Sequence, residues 1–206
     1  MAHRRSSENR VFRDHYASPT VPEVEPRRCI VSPLLPLLPY PRNHRVLDVC
    51  SGRGALLRVV QARWPWAKCR GVEIDPMLAR DGRRAGLHII RRDVLVWRPA
   101  PRERAGLIIA NPPFNLWTDI VEICLEHLLA PGGTIAILTP STYTEGVETS
   151  RDHVARRDRI WQSRAWCRYD LRLRPRFNGA KSSDMASFFW AAHGPLNEGK
   201  FLRIGG

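Results

Sequence analysis

Lysine is nearly absent from this chain. It occurs only at positions 68, 181 and 200, although lysine and arginine together number 33. The positive charge is therefore carried by arginine, against 20 acidic residues and a net charge of +13. Codon bias accounts for arginine over lysine but not for the excess of base over acid. A guanidinium forks onto two acceptors and stacks on rings, so the excess points to a polyanionic partner. Metal chemistry has little to build on. The five cysteines, at 29, 50, 69, 124 and 167, include no C-x-x-C pair, and no two of the seven histidines stand four residues apart. The spacing argues against a zinc site and the odd count against a disulfide framework, so no metal is expected. No apolar run reaches the roughly eighteen residues of a membrane span. The start, Met-Ala-His-Arg-Arg, lacks the apolar stretch of a secretory signal. These absences predict a cytoplasmic protein without a membrane partner.

What is present is enough apolar residue, 43%, for one α/β core in 206 residues. Residues 1–44 carry prolines at 19, 22, 26, 33, 36, 39 and 41, which forbid a long helix. A short helical piece fits around Arg27–Val31, and the segment reads as an N-terminal arm or lid, or as a disordered tail. From Arg45 to His193 apolar runs alternate with helical stretches, the pattern of a mostly parallel sheet. Strands are expected at Arg45–Cys50, Cys69–Ile74, Leu87–Arg92, Gly106–Ala110 and Thr134–Thr139. Helices are expected at Gly54–Arg63, Pro76–Arg84, Leu116–Leu129 and Glu145–Gln162. Two last strands, Cys167–Arg174 and Met185–Ala192, flank the turn signal Asn178-Gly179 and predict a terminal antiparallel hairpin. Residues 194–206 read as a tail.

The first strand runs into Asp48-Val49-Cys50-Ser51-Gly52-Arg53-Gly54. Glycines at a strand-to-helix turn let a ligand approach the backbone. Leu57 stands where a dinucleotide fingerprint wants a third glycine, which disfavours nicotinamide and flavin cofactors. Asp48 suits a cationic amino group. Glu73, ending the second strand, can accept from both hydroxyls of a ribose, and Asp93, ending the third, from an adenine amine. Three acids at three successive strand ends share the edge where open sheets bind ligands. Asp75, before Pro76, is expected to cap a helix.

Asn111-Pro112-Pro113-Phe114 follows the fourth strand directly. Two prolines fix the backbone and leave nearby carbonyls free as acceptors. An amide oxygen and a carbonyl can hold an amine by its two hydrogens, and an aromatic ring beside them can stack on a base. That chemistry fits the N6 amine of adenine, whose lone pair is delocalised into the ring. Held toward tetrahedral geometry, the amine attacks a sulfonium methyl in line, a reaction driven by positioning. In a duplex the base must flip out.

The order D-V-C-S-G-R-G, G-V-E-I-D-P, R-R-D-V, N-P-P-F resembles the class I S-adenosylmethionine-dependent methyltransferases that modify adenine N6. The closing R-P-R-F-N-G-A-K-S-S-D-M-A-S-F-F-W is similar to the terminal hairpin of small phage- and prophage-type members. The resemblance runs from about Tyr16 to Trp190. It implies a Rossmann-like α/β fold, a seven-stranded mostly parallel sheet with an antiparallel terminal hairpin strand. It implies S-adenosylmethionine as cofactor, held by Asp48, Cys50, Ser51, Gly52, Gly54, Glu73, Ile74, Asp93, Val94 and Asn111. Tyr16-Ala17-Ser18-Pro19 is similar to the family's aromatic-x-Thr-Pro cofactor segment, which adds Tyr16 and Pro19. Asn111, Pro112, Pro113 and Phe114 are implied as catalytic. Two departures stand out. Ala105-Gly106 replaces an Asp that many relatives carry near the start of the fourth strand, and Cys50 stands where some have Gly.

Residues 151–177 hold nine arginines interleaved with Trp161, Trp166, Tyr169 and Phe177. This reads either as a nucleic-acid groove or as a solvated helix face plus core aromatics. On the first reading Phe114, Arg174, Arg176, Phe177 and Lys181 contact the substrate, DNA ahead of RNA. Two other functions remain in view: the same chemistry on structured RNA, and a non-catalytic nucleic-acid-binding module on a degenerate methyltransferase fold.

Overall fold

The computed structural model describes residues 31–143, 151–163, 166–171, 188–193 and 201–204. Strands β1 (Arg45–Asp48), β2 (Lys68–Glu73), β3 (Ile89–Arg91), β4 (Ala105–Ala110) and β5 (Leu129–Pro140) are linked by helices α1 (Ala55–Arg63), α2 (Pro76–Arg84) and α3 (Trp117–Ile123). Helix α4 (Arg151–Ser163) precedes β6 (Cys167–Leu171), β7 (Phe188–His193) and β8 (Phe201–Ile204). The sheet order is β3-β2-β1-β4-β5-β7-β6-β8. The seven expected strands are all present. Among the described strands only β7 runs against its neighbours, pairing antiparallel with both β5 and β6 as the expected terminal strands do; the expected Asn178-Gly179 turn lies outside the described residues. An eighth strand, β8, comes from the stretch read as a tail and pairs parallel with β6. It covers a row of backbone donors and acceptors that β6 would otherwise leave open at the sheet edge.

Period-two alternation sorts the core into two layers. Val46, Leu107, Ile109, Ala136 and Leu138 face one side with Leu56, Val59 and Val60 of α1. Leu47, Val49, Ile108, Ala110, Ile135 and Ile137 face the other with Trp117, Ile120 and Val121 of α3 and Ile160 of α4. Strand β4 is buried along its whole length, as expected of a strand covered on both faces. Residues 31–44, read from their prolines as irregular, form turns and one short 3-10 turn at Leu35–Leu37. Their apolar residues Val31, Leu34, Leu35 and Leu38 belong to the α1-side core.

Helix α2 begins at Pro76, and the Asp75 carboxylate accepts from the Met77 and Leu78 amides at 2.7 and 3.0 Å, the cap the sequence announces. Helix α3 is shorter than expected and passes into one wider turn over Cys124–Leu128. The i, i+4 stripe survives that change, because Ile120, Cys124 and Leu128 are all buried. Ala105-Gly106 has a local reason. Asn43 Oδ1 accepts from both Arg45 and Gly106 amides, at 3.1 and 3.0 Å, and Asn43 Nδ2 donates to the Arg104 carbonyl. A Cβ on Gly106 would lie 2.4 Å from that Asn43 oxygen, so only glycine permits the clamp between β1 and β4. Among the described residues no helix is long and apolar enough to cross a membrane.

Candidate active site

The chain runs outward from β1 through β2 to β3, and from β4 to β5 in the opposite direction. The β1/β4 junction is therefore the topological switch point, where a crevice opens at the carboxyl ends of the strands. The strand register brings the expected residues to that edge. Asp48 is level with Gly71 on β2 and with Ile109 on β4, so Glu73 and Asn111 each lie two residues beyond these partners. Glu73 is in turn level with Arg91 on β3, two residues before Asp93. The four polar side chains picked from sequence stand at the same edge of four adjacent strands.

The glycine loop is drawn in by Glu73. Its Oε2 accepts from the Gly52 amide at 2.7 Å, and its Oε1 from the Asp75 amide at 2.8 Å. Ser51 donates its amide to the Val72 carbonyl at 3.0 Å. Gly54 caps α1 in the left-handed region at φ +83°, and an added Cβ would sit 2.1 Å from Leu87 Cδ1. Gly54→Ala is expected to destabilise the fold by about 1–3 kcal/mol, read as a shift of the chemical denaturation midpoint. An unchanged midpoint would show that the loop relaxes freely.

Burial sets the electrostatics. Asp48 is 1% exposed; its Oδ1 accepts from the Cys50 amide, while Oδ2 has no hydrogen-bond partner among the described residues. Burial pushes its carboxyl up to about 8; the Cys50 amide opposes this and Glu73 adds to it. Burial likewise raises the Glu73 carboxyl, against the amides of Asp75, Gly52 and Ile74. The Cys50 thiol is raised by burial and then by Glu73, Asp48, Cys124 and Asp93, so all three acids act on one point. Asp93 Oδ1 accepts from the Leu95 amide at 2.9 Å, and Val94 is buried beside it. Ile74 is half-buried next to Glu73.

Such a pocket favours a cation-bearing ligand. A buried carboxylate oxygen with no donor is costly unless protonated or paired, and an ammonium group supplies both charge and hydrogen bonds. The residues present thus have a chemistry that S-adenosylmethionine could meet: buried carboxyls at Asp48 and Glu73, with Asp93 on the next strand's edge.

Asn111 is 8% exposed, as Glu73 is, and Pro112 is buried behind it. Pro113 is extended, at φ −61° and ψ 125°, and turns the chain into a 3-10 turn over Phe114–Leu116. The Phe114 ring packs partly on the α1-side core. Its carbonyl accepts from the Tyr143 hydroxyl. The sequence reading missed Tyr143. It stands 29 residues from Phe114, and no spacing rule links the two.

The described part of the arginine-rich stretch is mostly engaged within the fold. Arg156 bonds Glu122 and Asp119 on α3, and Arg168 pairs with Asp170 at 3.0 Å while lying 4.3 Å over the Phe189 ring. Tyr169 is a core residue at 1% exposure. Trp161 and Trp166 pack at the border of the α3-side core. For these residues the core reading holds. Tyr16, Pro19, Arg174, Arg176, Phe177 and Lys181 lie outside the described residues, as do residues 27–30 of the expected helical piece.

Comparison with known proteins agrees with this architecture. No family model matches the chain. Trans-aconitate 2-methyltransferase of Escherichia coli is 28% identical over 133 residues, 63% of this chain and 50% of that protein. The Escherichia fergusonii enzyme of the same name is 27% identical over the same share. The chain spans about half the length of these curated relatives. Among solved structures, a "predicted O-methyltransferase" from Agrobacterium tumefaciens superposes with a TM-score of 0.58 at 18% identity, covering 84% of each chain. The plantazolicin methyltransferase BpumL, crystallised with S-adenosylhomocysteine, gives 0.50 at 12% identity over 73% of this chain and 77% of that one. The chain has the class I S-adenosylmethionine-dependent methyltransferase fold.

Proposed function

We propose that this protein transfers a methyl group from S-adenosylmethionine to the N6 amine of adenine in nucleic acid, DNA first. The observation that carries the reading is Asn111-Pro112-Pro113-Phe114 at the switch-point edge, beside buried Asp48, whose Oδ2 has no partner among the described residues. The cofactor, when bound, supplies an electrophilic methyl on its sulfonium. Asp48 accepts from the cofactor's amino group, which lets it stay ionised when buried. Glu73 holds the ribose hydroxyls and Asp93 the adenine amine. Asn111 Oδ1 and the Pro112 carbonyl accept the two N–H groups of the acceptor amine and draw its lone pair out of the ring. Phe114 stacks on the flipped base. No strong base is needed, since the proton leaves after the nitrogen has become cationic. Charge supports the choice of acceptor. Arg80, Arg83 and Arg84 on α2, Arg91 on β3 and Arg92 and Arg98 in the segment after it are exposed.

A second reading follows from the trans-aconitate 2-methyltransferases, namely methylation of a small polycarboxylate. One experiment separates the two: incorporation of tritiated methyl into duplex DNA, single-stranded DNA, ribosomal RNA and trans-aconitate, followed by nucleoside analysis. The expected product is N6-methyladenine, in DNA above RNA. Label in trans-aconitate alone would replace this reading with the second, and binding of nucleic acid without transfer would leave a binding module.

A further inference from the structure

The Asn-Pro-Pro-Phe turn is held from outside its own segment. The Pro113 carbonyl accepts from the Leu116 amide at 2.9 Å, and the Phe114 carbonyl accepts from the Trp117 amide and the Tyr143 hydroxyl together. The two amide bonds are local and close the 3-10 turn over Phe114–Leu116. The hydroxyl bond reaches across 29 residues, from the short turn Ser141–Tyr143 that follows β5.

Tyr143 is itself braced by two helices. Its ring meets the Trp117 ring at 87°, with centroids 5.6 Å apart, an edge-on arrangement that ring quadrupoles favour. Trp117, at the start of α3, is fully buried. Its Nε1 donates to Thr139 Oγ1 at 3.2 Å, and that hydroxyl donates to the Ile137 carbonyl at 3.1 Å. From α4 the Arg157 guanidinium lies 4.9 Å over the Tyr143 ring. A cation there is attracted to the ring face and polarises the phenol, which strengthens its O–H as a donor. The place of the hydroxyl is thus set by β5, α3 and α4, none of which contains Asn111 to Phe114.

Two residues of the turn are prolines and have no N–H with which to anchor it. In-line transfer is sensitive to misplacement of the acceptor by an ångström or less. We propose that Tyr143 is a positioning residue for methyl transfer: its hydroxyl fixes the Phe114 carbonyl, and with it the Asn111 amide, the Pro112 carbonyl and the Phe114 ring. The placement rests on the reading that this turn receives the acceptor. With the Pro113 and Phe114 carbonyls engaged, the acceptor amine is left to the carbonyl of Pro112.

Tyr143→Phe tests this, because it keeps the ring over Trp117 and under Arg157 and removes only the hydroxyl. Single-turnover transfer from the full chain to whichever acceptor wild type labels should slow about tenfold, the loss of one hydrogen bond at a positioned group. S-adenosylmethionine affinity should stay unchanged. Amide hydrogen exchange, read by mass spectrometry, should quicken about tenfold across residues 114–117 and stay unchanged in β1 and β4, whereas a merely loosened fold would exchange faster throughout. Arg157→Met removes the cation and should move both readouts the same way by about threefold. The proposal is overturned if Tyr143→Phe transfers at the wild-type rate, if transfer slows without faster exchange at 114–117, or if cofactor affinity falls in step with transfer. Wild type that labels trans-aconitate and no nucleic acid, slowed by Tyr143→Phe, would retain the positioning role and lose only the adenine reading. Wild type that labels no acceptor would overturn both. Should Tyr143→Phe fail to fold, Arg157→Met decides.

Discussion

Asn111→Ala is expected to lower methyl transfer by about 100- to 1,000-fold while the protein stays folded, the loss typical of one preorganised polar group at a reacting centre. The side chain follows β4, a strand buried on both faces, and two prolines fix the chain after it. Its loss therefore removes a hydrogen-bond acceptor without releasing the backbone. Binding of S-adenosylmethionine should weaken far less than turnover, because Asp48 and Glu73 stand on β1 and β2 and keep their own amide partners. The measurement is single-turnover transfer beside a calorimetric titration with the cofactor. A variant that loses cofactor affinity and turnover in equal proportion would make Asn111 a cofactor ligand only. One that keeps its turnover would remove the turn from the reaction altogether.

That turn could be found from sequence because it couples an apolar run to a fixed spacing. Gly106–Ala110 reads as a strand buried on two faces, and the strand is found at Ala105–Ala110, so the polar Asn111 after it stands at the sheet's edge. The same logic placed Asp48, Glu73 and Asp93, each the first acid after a strand's apolar stretch. What escaped the sequence depends on contacts between distant positions. Val31, Leu34, Leu35 and Leu38 sit among prolines that correctly exclude a long helix, yet nothing local says that these residues fill the α1-side core. The four residues of β8 are too short to show a period, and they become a strand only because β6 offers an open edge. Arg156 looks like a phosphate-binding residue until α4 is laid on α3, where Asp119 and Glu122 claim it. Charge counted along a chain does not say which charges are already answered. Tyr143 carried no signal for the same reason, since its partner lies on another loop.

Asp48→Asn is expected to separate stability from binding. In the folded protein burial holds the Asp48 carboxyl near 8, against 3.8 for a free aspartate. The folded state therefore favours the protonated form. The stabilisation it draws from that proton is fully present below about pH 4 and is lost as the pH rises toward 8, a change of several kcal/mol at the upper end. Glu73, raised by the same burial, adds a change of the same sign. Asparagine cannot ionise and is nearly the same shape. The ligand-free variant should thus melt several degrees above wild type at pH 8 and close to it at pH 4. Binding should move the other way. An ammonium group requires the ionised carboxylate, so wild-type affinity for S-adenosylmethionine should fall about tenfold per pH unit from 7 to 5, where the ligand's amine stays charged. The variant should bind at least about a hundredfold more weakly at pH 7.5, with the pH dependence flattened. Melting curves from pH 4 to 8 and titrations from pH 5 to 7.5 measure both halves. Equal melting at pH 8 would mean that water or a counter-ion already satisfies Asp48 Oδ2, and undiminished affinity would mean that the cofactor's amino group lies elsewhere. A protein that is more stable when its binding carboxylate is removed holds strain in the empty site and releases it when the ligand's positive charge arrives.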